Sequence, residues 1–272
     1  MKETKLISFF NIKGGIGKTT NTLLTAYELS EVKQDTKILL IDADIQGNLT
    51  QFIYNMNNDF NTIIDIVLDE TLTADNIIIK SPNKNYKNID LIPSNINLHL
   101  LESHLSIKRN KELFFGKWFA ANKKVLNQYD YIFIDLAPSY SILSQNFLVL
   151  SDHIIAPVSY GDIASVRGAV MLKQILEDDI DKIGLNRSID IKNIITKNEN
   201  GNKHVFKLFD EYINQFEELC FLDTKIQRTT LIEKSILKKL SLKSYSKTYN
   251  DKNKYINNFS NLLEELFKLN IL

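Results

Sequence analysis

The sequence predicts an open, doubly wound α/β fold: a mostly parallel sheet with helices on both faces, in one domain over residues 1–272. Three observations carry this. Short apolar runs rich in β-branched residues recur along the chain. Helical patterns of apolar residues lie between them. A glycine-rich turn joins the first run to the first helical pattern.

The runs are KLISFF (5–10), KILLID (37–42), IDLIP (89–93), YIFIDL (131–136), HIIAPV (153–158), IKNIIT (191–196) and CFLDT (220–224). They are apolar on both faces, as strands of a parallel sheet covered by helices should be. Helical patterns span residues 18–31, 110–128, 139–150, 163–178 and 205–218. In a last one, 252–269, Tyr255, Ile256, Phe259, Leu262, Leu263, Leu266 and Phe267 fall at helical spacing. Polar Asn/Lys stretches at 55–61, 80–88 and 197–203 read as surface loops within that single domain.

Composition narrows the function classes. Apolar residues make up 44% of the chain, enough for a sizeable core. The formal net charge is zero, so no overall field marks a partner. The one cysteine, Cys220, excludes a disulfide framework and reads as a core residue of its apolar run. His99, His104, His153 and His204 fall at no metal-ligand spacing. The N-terminal apolar run is too short for a secretory signal. No stretch approaches the ~18 apolar residues of a membrane span. A cytoplasmic protein is the expectation.

The turn after the first run reads NIKGGIGKTT (11–20). Strand, glycine loop and helix in this order form the context of a phosphate-binding loop. Gly14, Gly15 and Gly17 let the backbone approach phosphates, and the helix N-terminus adds partial positive charge. Lys18 is placed for the β and γ phosphates, Thr19 for Mg²⁺ and Thr20 for an inner phosphate. Asn11 and Ile16 complete the loop. The second run ends in Asp42 and Asp44. Two residues apart on a strand, they point to the same side, toward the crevice at the strand end. YIFIDLAPS delivers Asp135 to another strand end.

A phosphate loop needs one lysine, and this one has two, Lys13 and Lys18. With KGGIGKT, DADIQGN (42–48), LIPS (91–94) and DLAPS (135–139), the chain resembles the ParA/MinD group of P-loop ATPases, nearly along its whole length. The resemblance implies ATP and Mg²⁺ as cofactors. It implies a sandwich homodimer in which Lys13 reaches the other subunit's nucleotide. Asp44 would position or activate the attacking water, and Asp42 and Asp135 would help hold Mg²⁺ and its waters. The segment at Ile226-Gln227-Arg228 matches the family's loop against adenine. The chain departs from the pattern twice, with Ile45 and Gln227 where the family has proline.

Members of that group do different work. Residues 225–254 hold nine lysines and arginines against two acidic residues. Arg228, Lys234, Lys238, Lys239, Lys243 and Lys247 form the candidate patch for nonspecific DNA. Lys234, Lys238 and Lys239 are expected on one side of a helix. This favours the ParA/Soj-type DNA partition branch: a nucleoid-associated ATPase, slow alone, stimulated by DNA and a centromere-binding partner. The alternative is MinD-like membrane positioning. The C-terminal NLLEELFKLNIL reads instead as a closing helix, with two glutamates and one lysine, so no membrane contact is expected. The first run begins near residue 5, so no operator-binding domain is expected ahead of it.

Overall fold

The computed structural model describes residues 3–54, 60–198 and 203–272. Its strands are β1 (Lys5–Phe9), β2 (Ile38–Ala43), β3 (Ile89–Ile92), β4 (Tyr131–Leu136), β5 (His153–Ser159), β6 (Asp190–Asn198) and β7 (Phe221–Gln227). They form one sheet in the order β3-β2-β4-β1-β5-β6-β7. Every neighbouring pair is parallel.

The helices are α1 (Lys18–Val32), α2 (Asn48–Ile53), α3 (Ile63–Leu68), α4 (Ala74–Ile77), α5 (Leu101–Ser106), α6 (Phe114–Ala121) and α7 (Lys123–Leu126). Then come α8 (Ile142–Leu150), α9 (Ile163–Ile183), α10 (Lys203–Ile213), α11 (Thr230–Leu237), α12 (Leu242–Tyr249) and α13 (Asn258–Lys268).

The central strands β2 and β4 are buried at every position, which is why their sequences lack polar alternation. Alternate residues feed opposite cores. Ile38 and Leu40 pack with Leu23, Tyr27, Leu262 and Leu266 of α1 and α13. Leu39 and Ile41 pack with Ile64, Phe115, Phe147 and Leu172 on the other face. The sheet is thus wound on both sides, as expected.

Three expectations are corrected. Residues 110–128 do not form one helix. Asn122 separates α6 from α7, because its side chain accepts from the Ala74 N–H at 2.7 Å and donates to the Trp118 carbonyl at 2.9 Å. Such a side chain competes with the helix for its own backbone partners. The last helix begins at Asn258, not at 252. Asp251 and Asn253 each accept from the N–H two residues on, at 3.1 and 2.9 Å, and hold this stretch in Asx turns. Cys220 is exposed and precedes β7 instead of lying in the core. β7 is an edge strand, with Asp223 and Lys225 facing solvent. Parts of two expected loops, 55–59 and 199–202, lie outside the described residues.

Helix α1 ties the phosphate loop to the C-terminal helices. Glu31 accepts from the Tyr86 hydroxyl at 2.6 Å, Ser244 Oγ at 2.7 Å and Ser241 Oγ at 2.9 Å. One turn earlier, Glu28 is buried, bonded to the Ser260 hydroxyl and 3.2 Å from Lys243 Nζ. Burial raises the Glu28 carboxyl above its usual range, against the pull of Ser260 and Lys243. Glu31→Ala leaves three hydroxyl groups without their shared acceptor. It should cost about 3 kcal/mol, read as a lower urea midpoint at unchanged slope.

Candidate nucleotide-binding site

The carboxyl ends of β1, β2, β4 and β6 meet at a cavity of about 680 Å³. It is lined by Gly15, Gly17, Lys18, Thr19 and Thr20 from the loop, Asp44 to Gln46 from β2's end, Ala137 to Ser139, and Lys197. Open α/β sheets bind ligands at such strand ends. Gly15 and Gly17 have φ of +73° and +95°, and Gly17 is the N-cap of α1. A side chain would be strained at either position. Left-handed turns of this kind gather N–H groups into an anion-binding concavity.

Asn11 holds the loop in place. It is fully buried, and its Nδ2 donates to the Pro157 and Ser165 carbonyls at 2.8 and 3.0 Å. Its Oδ1 accepts from the Lys13 N–H at 3.0 Å. The side chain is therefore spent on β5 and α9 and does not face the cavity, where sequence reading placed a nucleotide contact. Gly168 on α9 makes room for it: a Cβ there would sit 2.3 Å from Asn11 Oδ1. Sequence reading gave Gly168 no role. Its local signal is a glycine inside a helix, where alanine is the better helix former, at the end of a segment, 154–168, that resembles the family's.

Lys18 Nζ donates to the Asn11 and Lys13 carbonyls at 3.1 and 3.0 Å. Burial lowers its pKa to about 8, against the opposing pull of Asp135 and Asp44. Asp42 and Asp135 are register neighbours on β2 and β4. Asp42 accepts from the Thr50 N–H and hydroxyl, both at 2.7 Å, and from the Asp44 N–H at 3.2 Å. Burial above all pushes its carboxyl up to about 6, over the opposing bonds from Thr50. Asp135 is also raised well above the usual carboxylate range, by burial and then by the Asp42 charge. Neither of its oxygens has a hydrogen-bond partner of good geometry, although the Thr19 hydroxyl lies near enough to act on it. Asp44 is buried, and its Oδ1 accepts from the Gln46 N–H at 2.9 Å.

This donor set fits Mg²⁺. A buried carboxylate without partners, beside two more carboxylates and a hydroxyl, is the all-oxygen chemistry a hard divalent cation selects. Among the described residues no three acidic, His or Cys side chains converge on one point. Phosphate and water oxygens would therefore complete the coordination.

The other predicted residues are less gathered. Gln227 ends β7 and does not line the cavity; its carbonyl accepts from Asn258 Nδ2 at 3.1 Å. Lys234 pairs with Asp251 at 3.3 Å, and Lys238 stands over the Tyr249 ring at 5.7 Å. The expected shared helical side for Lys234, Lys238 and Lys239 does not form. Helix α11 stops at Leu237, and Lys239 turns away at φ +55° with its Nζ on the Ile53 carbonyl at 3.0 Å. Lys243 is committed to Glu28. Arg228 and Lys247 are exposed.

A glycine loop of this type at the carboxyl ends of a parallel sheet defines a P-loop nucleotide-binding protein. The comparisons with known proteins narrow the class. A family model described as an AAA domain matches residues 4–191. The virulence plasmid ParA family protein pGP5-D of Chlamydia psittaci is 28% identical over 88% of this chain and 86% of its own. A solved plasmid partition protein of Borrelia burgdorferi B31, bound to AMPPNP, superposes with a TM-score of 0.74 at 25% identity, covering 98% of this chain and 99% of that one. Cobyrinic acid a,c-diamide synthase of Mycobacterium smegmatis, with an ATP analog and magnesium, shares the fold alone: TM-score 0.76, 21% identity, 98% and 95% coverage. The chain belongs to the ParA/MinD group of P-loop ATPases, within the AAA-domain family. No helix among the described residues is long and apolar enough to cross a membrane.

Gly168→Ala should displace Asn11 and, through it, the Lys13 backbone. Overpacking of this kind costs about 1–3 kcal/mol. Titration calorimetry should also show ATP affinity falling about tenfold, the scale of one or two lost hydrogen bonds. Wild-type affinity in that variant would separate Asn11 from loop geometry.

Proposed function

We propose that this chain is an ATP-dependent DNA partition protein. In this reading ATP·Mg²⁺ drives a sandwich homodimer, the dimer binds DNA without sequence preference, and hydrolysis releases it. The observation that carries the reading is Lys13. Its N–H is fixed by Asn11 and its carbonyl by Lys18, yet its side chain is exposed. A clamped backbone with an outward cation at the mouth of a phosphate site suits contact across an interface.

The chain's own groups perform the steps as follows. Lys18 exchanges two carbonyl partners for phosphate oxygens, whose negative charge favours its ammonium form. The loop N–H groups and the α1 N-terminus hold the inner phosphates. Thr19, Asp42 and Asp135 would hold Mg²⁺, which when bound neutralises phosphate charge. Asp44, at the cavity wall, orients the water that attacks the γ-phosphorus. Lys13 of each subunit stabilises charge developing on the opposite nucleotide. Completion of the site by a second subunit makes the basal rate slow, and a centromere-binding partner on the cargo supplies the stimulation.

The DNA surface is drawn chiefly from exposed Arg228, Lys238 and Lys247, together with Lys234. Lys239, bonded to the Ile53 carbonyl, and Lys243, paired with Glu28, flank it. Phosphate contacts make such binding sequence-tolerant and salt-sensitive, and carry the protein to the nucleoid.

Gel retardation on nonspecific duplex tests the reading. Wild type should shift DNA with ATP·Mg²⁺ and not with ADP, and Lys13→Ala should lose the shift while still binding ATP. No shift in any nucleotide state would favour the membrane-positioning alternative, which liposome sedimentation reads. Asp44→Ala should hold a DNA-bound dimer with turnover reduced at least about a hundredfold, the scale of a lost catalytic base. A monomer in ATP, by light scattering, would contradict the role given to Asp44.

A further inference from the structure

In a regular strand, successive side chains point to opposite faces of the sheet. Thr196 and Lys197, near the end of β6, break that alternation. The Thr196 hydroxyl donates to the Ile16 carbonyl at 2.8 Å, and the Lys197 ammonium donates to the Gly15 carbonyl at 2.6 Å. Adjacent side chains thus fasten adjacent carbonyls of the phosphate loop. The cause is the Lys197 backbone, whose φ is +52°. The β6–β7 register slips at the same place, between Ile195 and Asn198. A lysine in the left-handed region persists only where its surroundings hold it, and such residues cluster at functional sites.

We propose that Lys197 is a positioning residue of the nucleotide site. In a trans peptide the carbonyl and the following N–H point in opposite directions. Holding the Gly15 and Ile16 carbonyls toward β6 therefore turns the Ile16 and Gly17 N–H groups the other way. These two N–H groups belong to the concavity that receives phosphate. Lys197 also lines the cavity beside Lys18 and Thr19, so its charge adds to the field on the same anion. Loop amides hold phosphates that ADP and ATP share, so Lys197 slows release of both nucleotides alike. Lys13, in contrast, acts only when a second subunit is present. The inference rests on the nucleotide-binding reading and not on DNA binding.

The test is stopped-flow release of fluorescent ADP and ATP, both with Mg²⁺, from wild type, Lys197→Ala, Lys197→Arg and Lys197→Gly. Melting curves of the nucleotide-free proteins accompany it. Lys197→Ala and Lys197→Gly should each release both nucleotides about tenfold faster, the scale of one charge-assisted hydrogen bond. Lys197→Arg should stay close to wild type. Lys197→Gly should melt at or above wild type, because glycine accepts the left-handed backbone without strain. Faster release from a protein that is no less stable separates positioning from a general structural role. Wild-type release from Lys197→Gly would overturn the proposal alone. A wild-type protein that bound neither nucleotide would overturn the reading beneath it as well.

Discussion

Lys18, Asp42, Asp44 and Asp135 lie together at strand ends, almost out of reach of water. Burial works against the charged forms of Lys18, Asp42 and Asp135. Burial lowers Lys18 while Asp135 and Asp44 oppose the drop. Three acids face one ammonium, and Asp135 shows the consequence: burial and then the Asp42 charge raise its carboxyl well above the usual range, and neither oxygen has a hydrogen-bond partner of good geometry. A cation and an anion arriving together complete such a cluster. The donor chemistry and the triphosphate-shaped loop are therefore parts of one electrostatic arrangement.

That arrangement needs a loop that keeps its shape while the lysine inside it changes partners. The structure secures the loop from two sides. Asn11 ties its start to β5 and α9, and Thr196 with Lys197 ties its middle to β6. Lys18 braces the interior through the Asn11 and Lys13 carbonyls. Every brace is a side chain bonded to backbone, so phosphate can replace the Lys18 bonds while the outer ties remain. Lys13 is held by its backbone and left exposed at its tip, which lets one loop serve two nucleotides in the proposed dimer.

Helix α1 extends the same rigidity to the far end of the molecule. It opens at the phosphate loop and closes on Glu28 and Glu31, whose carboxylates gather hydroxyls and a lysine from α12 and α13 and from the loop before β3. The basic region is thus built onto the helix that the nucleotide site begins. Lys243 pairs with Glu28 and Lys239 bonds the Ile53 carbonyl, while Arg228, Lys238 and Lys247 are exposed at the surface.

Strand positions, their parallel sense and the chemistry of the loop are legible in local pattern. β4 falls on the very residues of its apolar run, and β2 within one residue of its own, because buried strands need unbroken apolar runs, and the turn after β1 needs glycine at Gly15 and Gly17, where φ is positive. Asp42, Asp44 and Asp135 are readable for a related reason: each lies at or just beyond the carboxyl end of an apolar run. The remaining features depend on contacts between distant parts of the chain. Gly168 matters because of Asn11, which lies 157 positions away in the chain. Lys197 matters because a register slip against β7 turns it toward Gly15, 182 positions distant. Cys220 and the helix breaks at Asn122 and Asn253 depend on edge exposure and on side chains that cap backbone. Local pattern reports which residues are buried. Which distant carbonyl a buried amide or a lysine meets is set by how the strands are ordered, and no spacing along the chain encodes that.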